Sequence, residues 1–162
     1  MYSKSVALLL DYGDPDLIGH HPIWTCPPYI REMEDHVDCH MAWPDYVKEC
    51  GLNVSHVPDI ICLMKKSYQH KNDPLKTQLD WACIHGWRAL GQLEANEAVP
   101  AIIEMLKIDR PYQDSDDWAS NEIPVVLNLM DATVISFLLK KIQKIHESTN
   151  VTEIILKSLW FL

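Results

Sequence analysis

Apolar positions recur with a helical period along most of the chain. In "HVPDIICLMKK" (residues 56–66), Val57, Ile60, Ile61 and Met64 fall at i, i+3, i+4 and i+7. That spacing predicts one apolar stripe on an amphipathic helix. Pro58 stands in the first turn, where an absent N–H costs least. "EAVPAIIEMLK" (residues 97–107) repeats the pattern 42 residues later, with Val99, Ile102, Ile103 and Leu106 in the stripe and Pro100 in the place of Pro58. A weaker third copy, "ATVISFLLKKI" (residues 132–142), sets Ile135, Leu138, Leu139 and Ile142 in the stripe 36 residues further on, with Ser136 replacing the proline.

The helix ahead of each stripe recurs as well. "DWACIHGWRALGQL" (residues 80–93) matches "DWASNEIPVVLNLM" (residues 117–130) at an offset of 37. Asp80 and Asp117 are the expected N-caps. Pro124 lies several residues in, which predicts a late start or a kink. Residues 91–96 read as the hairpin between two helices. Two helices per unit at this period mark an α-solenoid. The expected fold is therefore all-α: an α-α superhelix, or HEAT/armadillo-like solenoid, of about three helix pairs.

The two ends differ from this pattern. "SKSVALLLDYGDP" predicts a short helix capped by Ser3 or Ser5 and closed at Gly13. Residues 19–44 carry four of the ten prolines and four of the eight histidines, without sustained periodicity. They read as a long loop or an insertion. The organisation expected is one domain over residues 1–162: an N-terminal helix and a Pro/His-rich loop (1–44), then repeats (45–162). The closing "VTEIILKSLWFL" predicts an amphipathic helix. Its apolar surface, with Trp160 and Phe161, either covers the end of the solenoid or packs on a second copy as a homodimer.

At "GWRALGQLEANEAVPAIIEML" the chain resembles a HEAT-like repeat of the type found in bacterial phycobilisome lyases. The residues that carry the likeness are Ala89-Leu90-Gly91, a short polar turn, then Ala98-Val99-Pro100 with Ile102-Ile103. The likeness covers one unit well, the units around residues 57–64 and 118–142 in part, and nothing before Asp45. It implies a right-handed stack of antiparallel helix pairs and no chemistry. Bilin lyases share the repeat type, but no chromophore site maps onto this chain. Deoxyhypusine hydroxylases hold iron on His-Glu pairs from several repeats. This chain has one such pair, His146-Glu147, too few for a di-iron centre.

The formal net charge of −9 argues against nucleic acid and anionic membrane as partners. The five cysteines (Cys26, Cys39, Cys50, Cys62 and Cys83) form no CxxC pair, which favours a reduced, cytoplasmic protein. The apolar run of residues 6–10 is too short for a signal sequence or a membrane span.

Three groups of residues carry candidate chemistry. On the helix of residues 80–93, Trp81, His85, Arg88 and Gln92 fall in one polar row at i, i+4, i+7 and i+11. An aromatic, an imidazole, a guanidinium and an amide in a row suit a partner peptide or an anion. The bland reading is a solvated face with Arg88 paired to an acid. The matching row on the next helix (Trp118, Glu122, Val125 and Leu129) lacks the basic and amide members. Second, His36, Cys39 and His40, near His20, His21, Cys26 and Asp38, are ligand types that zinc takes. Their spacing fits no standard finger, the adjacent Cys39-His40 is awkward for one tetrahedral centre, and a polar loop whose histidines cap backbone groups explains them without a metal. Third, a nucleophilic thiol would pair Cys39 with His36 or His40, or Cys83 with His85. Cys83 lies on the apolar arc, as a core thiol does. No Gly-rich phosphate loop, GxSxG elbow or HExxH helix is present. The expected function is a non-catalytic protein–protein interaction or scaffold module. The alternatives are a metal-binding or enzymatic protein using residues 20–40, or an accessory protein for a small anionic ligand.

Overall fold

A computed structural model of the chain describes residues 2–13, 43–69, 75–106 and 118–131, with Val134, Ser136, Phe137 and Leu156. Its elements are α1 (Lys4–Asp11), α2 (Tyr46–Glu49), α3 (Val57–Gln69), α4 (Lys76–Gln92), α5 (Val99–Leu106) and α6 (Trp118–Asn128). Short 3-10 turns at Val54–His56 and Asn96–Ala98 lead into α3 and α5. No strand occurs among the described residues, so the described fold is all-α. None of the described helices is long and apolar enough to cross a membrane. The third stripe, the C-terminal helix apart from Leu156, and the His146-Glu147 pair lie outside the described residues.

α1 begins and ends as its sequence dictates. Ser3 is the N-cap, its Oγ accepting the Val6 N–H at 3.3 Å. Gly13, one residue past the C-cap, takes the left-handed conformation with φ +72°. Val6 and Leu9 are fully buried. They lie on the inner side of a helix that packs on α4.

The two Val-Pro segments form equivalent helix entries. The His56 N–H bonds the Asn53 carbonyl, and the Ala98 N–H bonds the Ala95 carbonyl, each at 2.9 Å. The helix then starts at Val57 or Val99, with proline second. A third turn of the same kind joins the Val134 N–H to the Asp131 carbonyl at 2.9 Å, and Val134 is helical. The three turns are spaced like the three apolar stripes. In α3, Val57, Ile60 and Met64 are buried together with Leu63, while Ile61 is half-buried. In α5, Val99, Ile102 and Ile103 are buried with Met105, and Leu106 is half-buried.

Two expected boundaries shift. α4 starts at Lys76, so Asp80 lies inside the helix rather than capping it; the N-cap position is Leu75, without a side-chain cap bond. Gly91 and Gln92 still belong to α4, so the hairpin is shorter than residues 91–96. It closes with a double bond pattern: Ala95 N–H to Leu90 C=O at 3.0 Å and Glu94 N–H to Gly91 C=O at 2.9 Å. That is a Schellman motif, and its left-handed position is Glu94 at φ +51°. A left-handed L-residue costs about 1–2 kcal/mol, against a smaller entropic penalty for glycine. Glu94→Gly is therefore expected to raise stability by about 0.5–1 kcal/mol, read as a higher urea midpoint with an unchanged slope.

α4 is the centre of the fold. It packs against α1, α2, α3 and α6, and α3 also packs against α5. Every residue from 82 to 91 is buried. Missing side chains set the spacing on two sides. A Cβ at Gly86 would lie 3.0 Å from Met64 Cγ on α3, and one at Gly91 would lie 3.1 Å from Leu129 Cδ1, just past α6. α6 runs through Pro124, which removes one backbone donor from its interior. The Asn128 Nδ2 donates to the Pro124 carbonyl at 2.8 Å. Behind α6, the Asp131 N–H bonds Asn96 Oδ1 at 2.9 Å, tying this turn to the previous one.

Candidate functional site

The polar row of α4 is inside the protein. His85 and Arg88 are buried, and Trp81 and Gln92 are half-buried. The reason is the position of α4: over residues 82–91 neighbours enclose it on all sides, so the polar side chains there must meet polar groups of its own chain.

His85 reads two segments at once. Its Nε2 lies 3.0 Å from the Gly13 carbonyl, and its Nδ1 lies 2.7 Å from the Tyr46 hydroxyl. A carbonyl only accepts, so Nε2 carries the proton. In the neutral ring Nδ1 then accepts the Tyr46 O–H. Tyr12 and Tyr46 pack around the imidazole at 5.3 and 5.6 Å between ring centroids, and meet each other edge-on at 5.1 Å. The Tyr12 hydroxyl donates to Glu49 Oε2 at 2.7 Å and accepts the Cys50 thiol at 3.7 Å.

Arg88 meets Glu122 of α6 through a two-pronged contact. Nε donates to Oε2 at 2.8 Å and Nη2 donates to Oε1. The Trp87 indole N–H adds a third bond to Oε2 at 2.8 Å. Both charged residues are only 2% exposed. The Trp43 ring lies 5.4 Å from Arg88 Cζ, within cation–π range. Burial alone would pull the guanidinium's pKa down; the Glu122 carboxylate outweighs it and holds the pKa above its usual value. The fork matches the planar carboxylate, so the desolvated pair is well satisfied.

Gln92 grips the chain before α2. Its Nε2 donates to the Pro44 carbonyl at 2.8 Å, and its Oε1 accepts the Tyr46 N–H at 2.9 Å. Asp45 caps α2 by accepting the Lys48 N–H at 3.0 Å.

Burial raises the Tyr46 phenol above its ordinary pKa of 10.0, with Arg88 opposing. Burial, aided by the bond to Glu49, raises Tyr12 likewise. A phenol with a higher pKa folded than unfolded keeps its full contribution to stability below pH 10. Above that, the unfolded state loses the proton first, so stability falls as pH rises. The Tyr46 contribution should decline by about 1.4 kcal/mol per pH unit there. Tyr46→Phe is expected to flatten the alkaline limb of a stability–pH curve measured by urea unfolding.

Neither Cys50 nor Cys83 reads as a nucleophile. Burial pushes the Cys50 pKa up. Cys83 is buried with its Sγ 3.5 Å from Met105 Sδ, while the His85 nitrogens face Tyr46 and Gly13. His36, Cys39 and His40 lie outside the described residues. Among the described residues no group of three His, Cys, Asp or Glu side chains is placed to hold a metal.

Sequence reasoning located three members of this cluster, His85, Arg88 and Gln92, but not their partners. Tyr46, Trp43 and Gly13 stand far away in the chain. Glu122 carried a usable signal: it occupies the position of His85 in the next copy of the row. Comparison of the chain with known protein families, characterised proteins and solved structures finds no match.

Proposed function

We propose that the chain is a HEAT-like repeat module that binds another protein and performs no catalysis. The observation that carries this reading is the threefold turn at Asn53–His56, Ala95–Ala98 and Asp131–Val134, each leading into a helical residue. The packing agrees with it. α4 meets α2 and α6, and α3 meets α5, so alternate helices lie side by side as in the two layers of an α-α superhelix. The bond from Asp131 to Asn96 links successive turns, as stacking repeats require. The titratable groups around α4 satisfy one another, a pattern of scaffold rather than catalyst. Cys50, Cys62 and Cys83 stand outside any disulfide, which fits a reducing, cytoplasmic setting. The partner is a protein, with a second copy through the C-terminal helix as one form it takes.

The test is affinity capture of the full chain from its source cell, beside charge reversals at exposed positions of the second layer, Lys65→Glu and Glu97→Lys. The reading expects a stoichiometric protein partner, weakened capture by at least one reversal, and unchanged thermal melting. A stoichiometric bound metal or measurable turnover in the purified protein, with no protein partner, would overturn it.

A further inference from the structure

The two chain ends that flank residues 14–42 converge on one side of α4. The first end is Tyr12-Gly13. The Gly13 carbonyl takes the His85 Nε2–H at 3.0 Å, beyond a helix whose Val6 and Leu9 are fully buried. The second end is Trp43 to Tyr46. Trp43 covers Arg88, while Gln92 bonds the Pro44 carbonyl and the Tyr46 N–H. The ends also touch directly, through the Tyr12 and Tyr46 rings and the Tyr12–Glu49 and Tyr12–Cys50 bonds. His85 joins both, with one nitrogen on each end.

We propose that His85, Arg88 and Gln92 form an internal clasp that holds these two ends side by side. α1 then stays docked on α4 without the covalent link through residues 14–42. His85 and Arg88 are three positions apart, about 4.5 Å along the helix axis, so neighbouring side chains grip the two ends. Three of the contacts go to backbone (the Gly13 and Pro44 carbonyls and the Tyr46 N–H), and two to side chains (the Tyr46 hydroxyl and the Trp43 ring). The consequence is an insertion point. A segment whose two ends are held together pays closure entropy only logarithmically in its length, so the clasp lets the length between Gly13 and Trp43 change without loss of the described helical packing. This inference does not rest on the proposed binding function, and its test is independent of any partner.

The test uses the full chain with a flexible protease-recognition sequence inserted between Gly19 and His20. Amide hydrogen exchange is followed in residues 2–13 and 43–56 before and after cutting. The clasp predicts that cutting alone changes exchange in α1 by less than about threefold. It also predicts that cutting raises exchange more than about tenfold in the segment each side chain holds: α1 in His85→Phe, and residues 43–50 in Gln92→Ala. His85→Phe keeps an aromatic ring and removes both bonds. Gln92→Ala is the milder change at a half-buried position, so at least one variant remains folded before cutting. Loss of α1 protection on cutting the parent chain would overturn the proposal. So would unchanged exchange in both cut variants.

Discussion

Glu122→Ala is expected to lower the free energy of unfolding by about 3–5 kcal/mol, a large part of the total for a domain of this size. The carboxylate accepts from Trp87 Nε1, Arg88 Nε and Arg88 Nη2. Its removal leaves a guanidinium 2% exposed and without that counter-charge, and an indole N–H without its acceptor. The penalty is mostly the cost of a buried, uncompensated charge, and only in part the loss of the bonds. Replacing both partners at once, Arg88→Met with Glu122→Leu, is therefore expected to recover most of the loss. Apolar side chains of similar volume need no counter-charge. Urea unfolding of both variants followed by far-UV circular dichroism checks the pair. A Glu122→Ala protein within about 1 kcal/mol of the parent would mean that the contact is solvent-exposed.

Trp87→Ala should cost about as much, roughly 3–5 kcal/mol, by a different route. The indole is 1% exposed and is the largest of the fully buried side chains among the described residues. It sits on α4, between α3 and α6, where Gly86 and Gly91 keep the helices close. A backbone held that close cannot collapse fully into the space left behind, so a cavity remains. Trp87→Phe separates packing from hydrogen bonding. It retains most of the ring and loses the N–H to Glu122, and is expected to cost about 1–2 kcal/mol. Similar losses for the two variants would show that the indole N–H dominates over the ring's volume.

The elements of the fold were more legible than the contacts between them. The stripes at Val57–Met64 and Val99–Leu106 are local patterns, and local patterns decide which face a helix buries. Ser3, Gly13 and the two prolines act within a turn of themselves, so their effect is also local. The start of α4 was missed by a turn because only Leu75 and Leu79 are apolar there, too few to extend a stripe. The polar row failed as a surface for a deeper reason. Periodicity treats a helix as having an inside and an outside, and α4 is surrounded. Its His85, Arg88 and Gln92 side chains meet residues brought there by the fold: Gly13 from α1's end, Pro44 just before α2, Tyr46 at its start, and Glu122 from α6. No pattern within residues 76–92 specifies those partners. The likeness between residues 80–93 and 117–130 held the nearest clue, since it sets Glu122 at the position of His85.

That α4 spends its polar row on its own chain is tested most directly by a double-mutant cycle on Arg88 and Glu122. The cycle comprises the parent, Arg88→Met, Glu122→Leu and the double variant, each unfolded in urea. A buried pair predicts a coupling energy of about 2–3 kcal/mol, with the double variant far more stable than the sum of the single losses implies. Additive losses, with coupling near zero as for an exposed ion pair, would contradict the account and return the row to the surface.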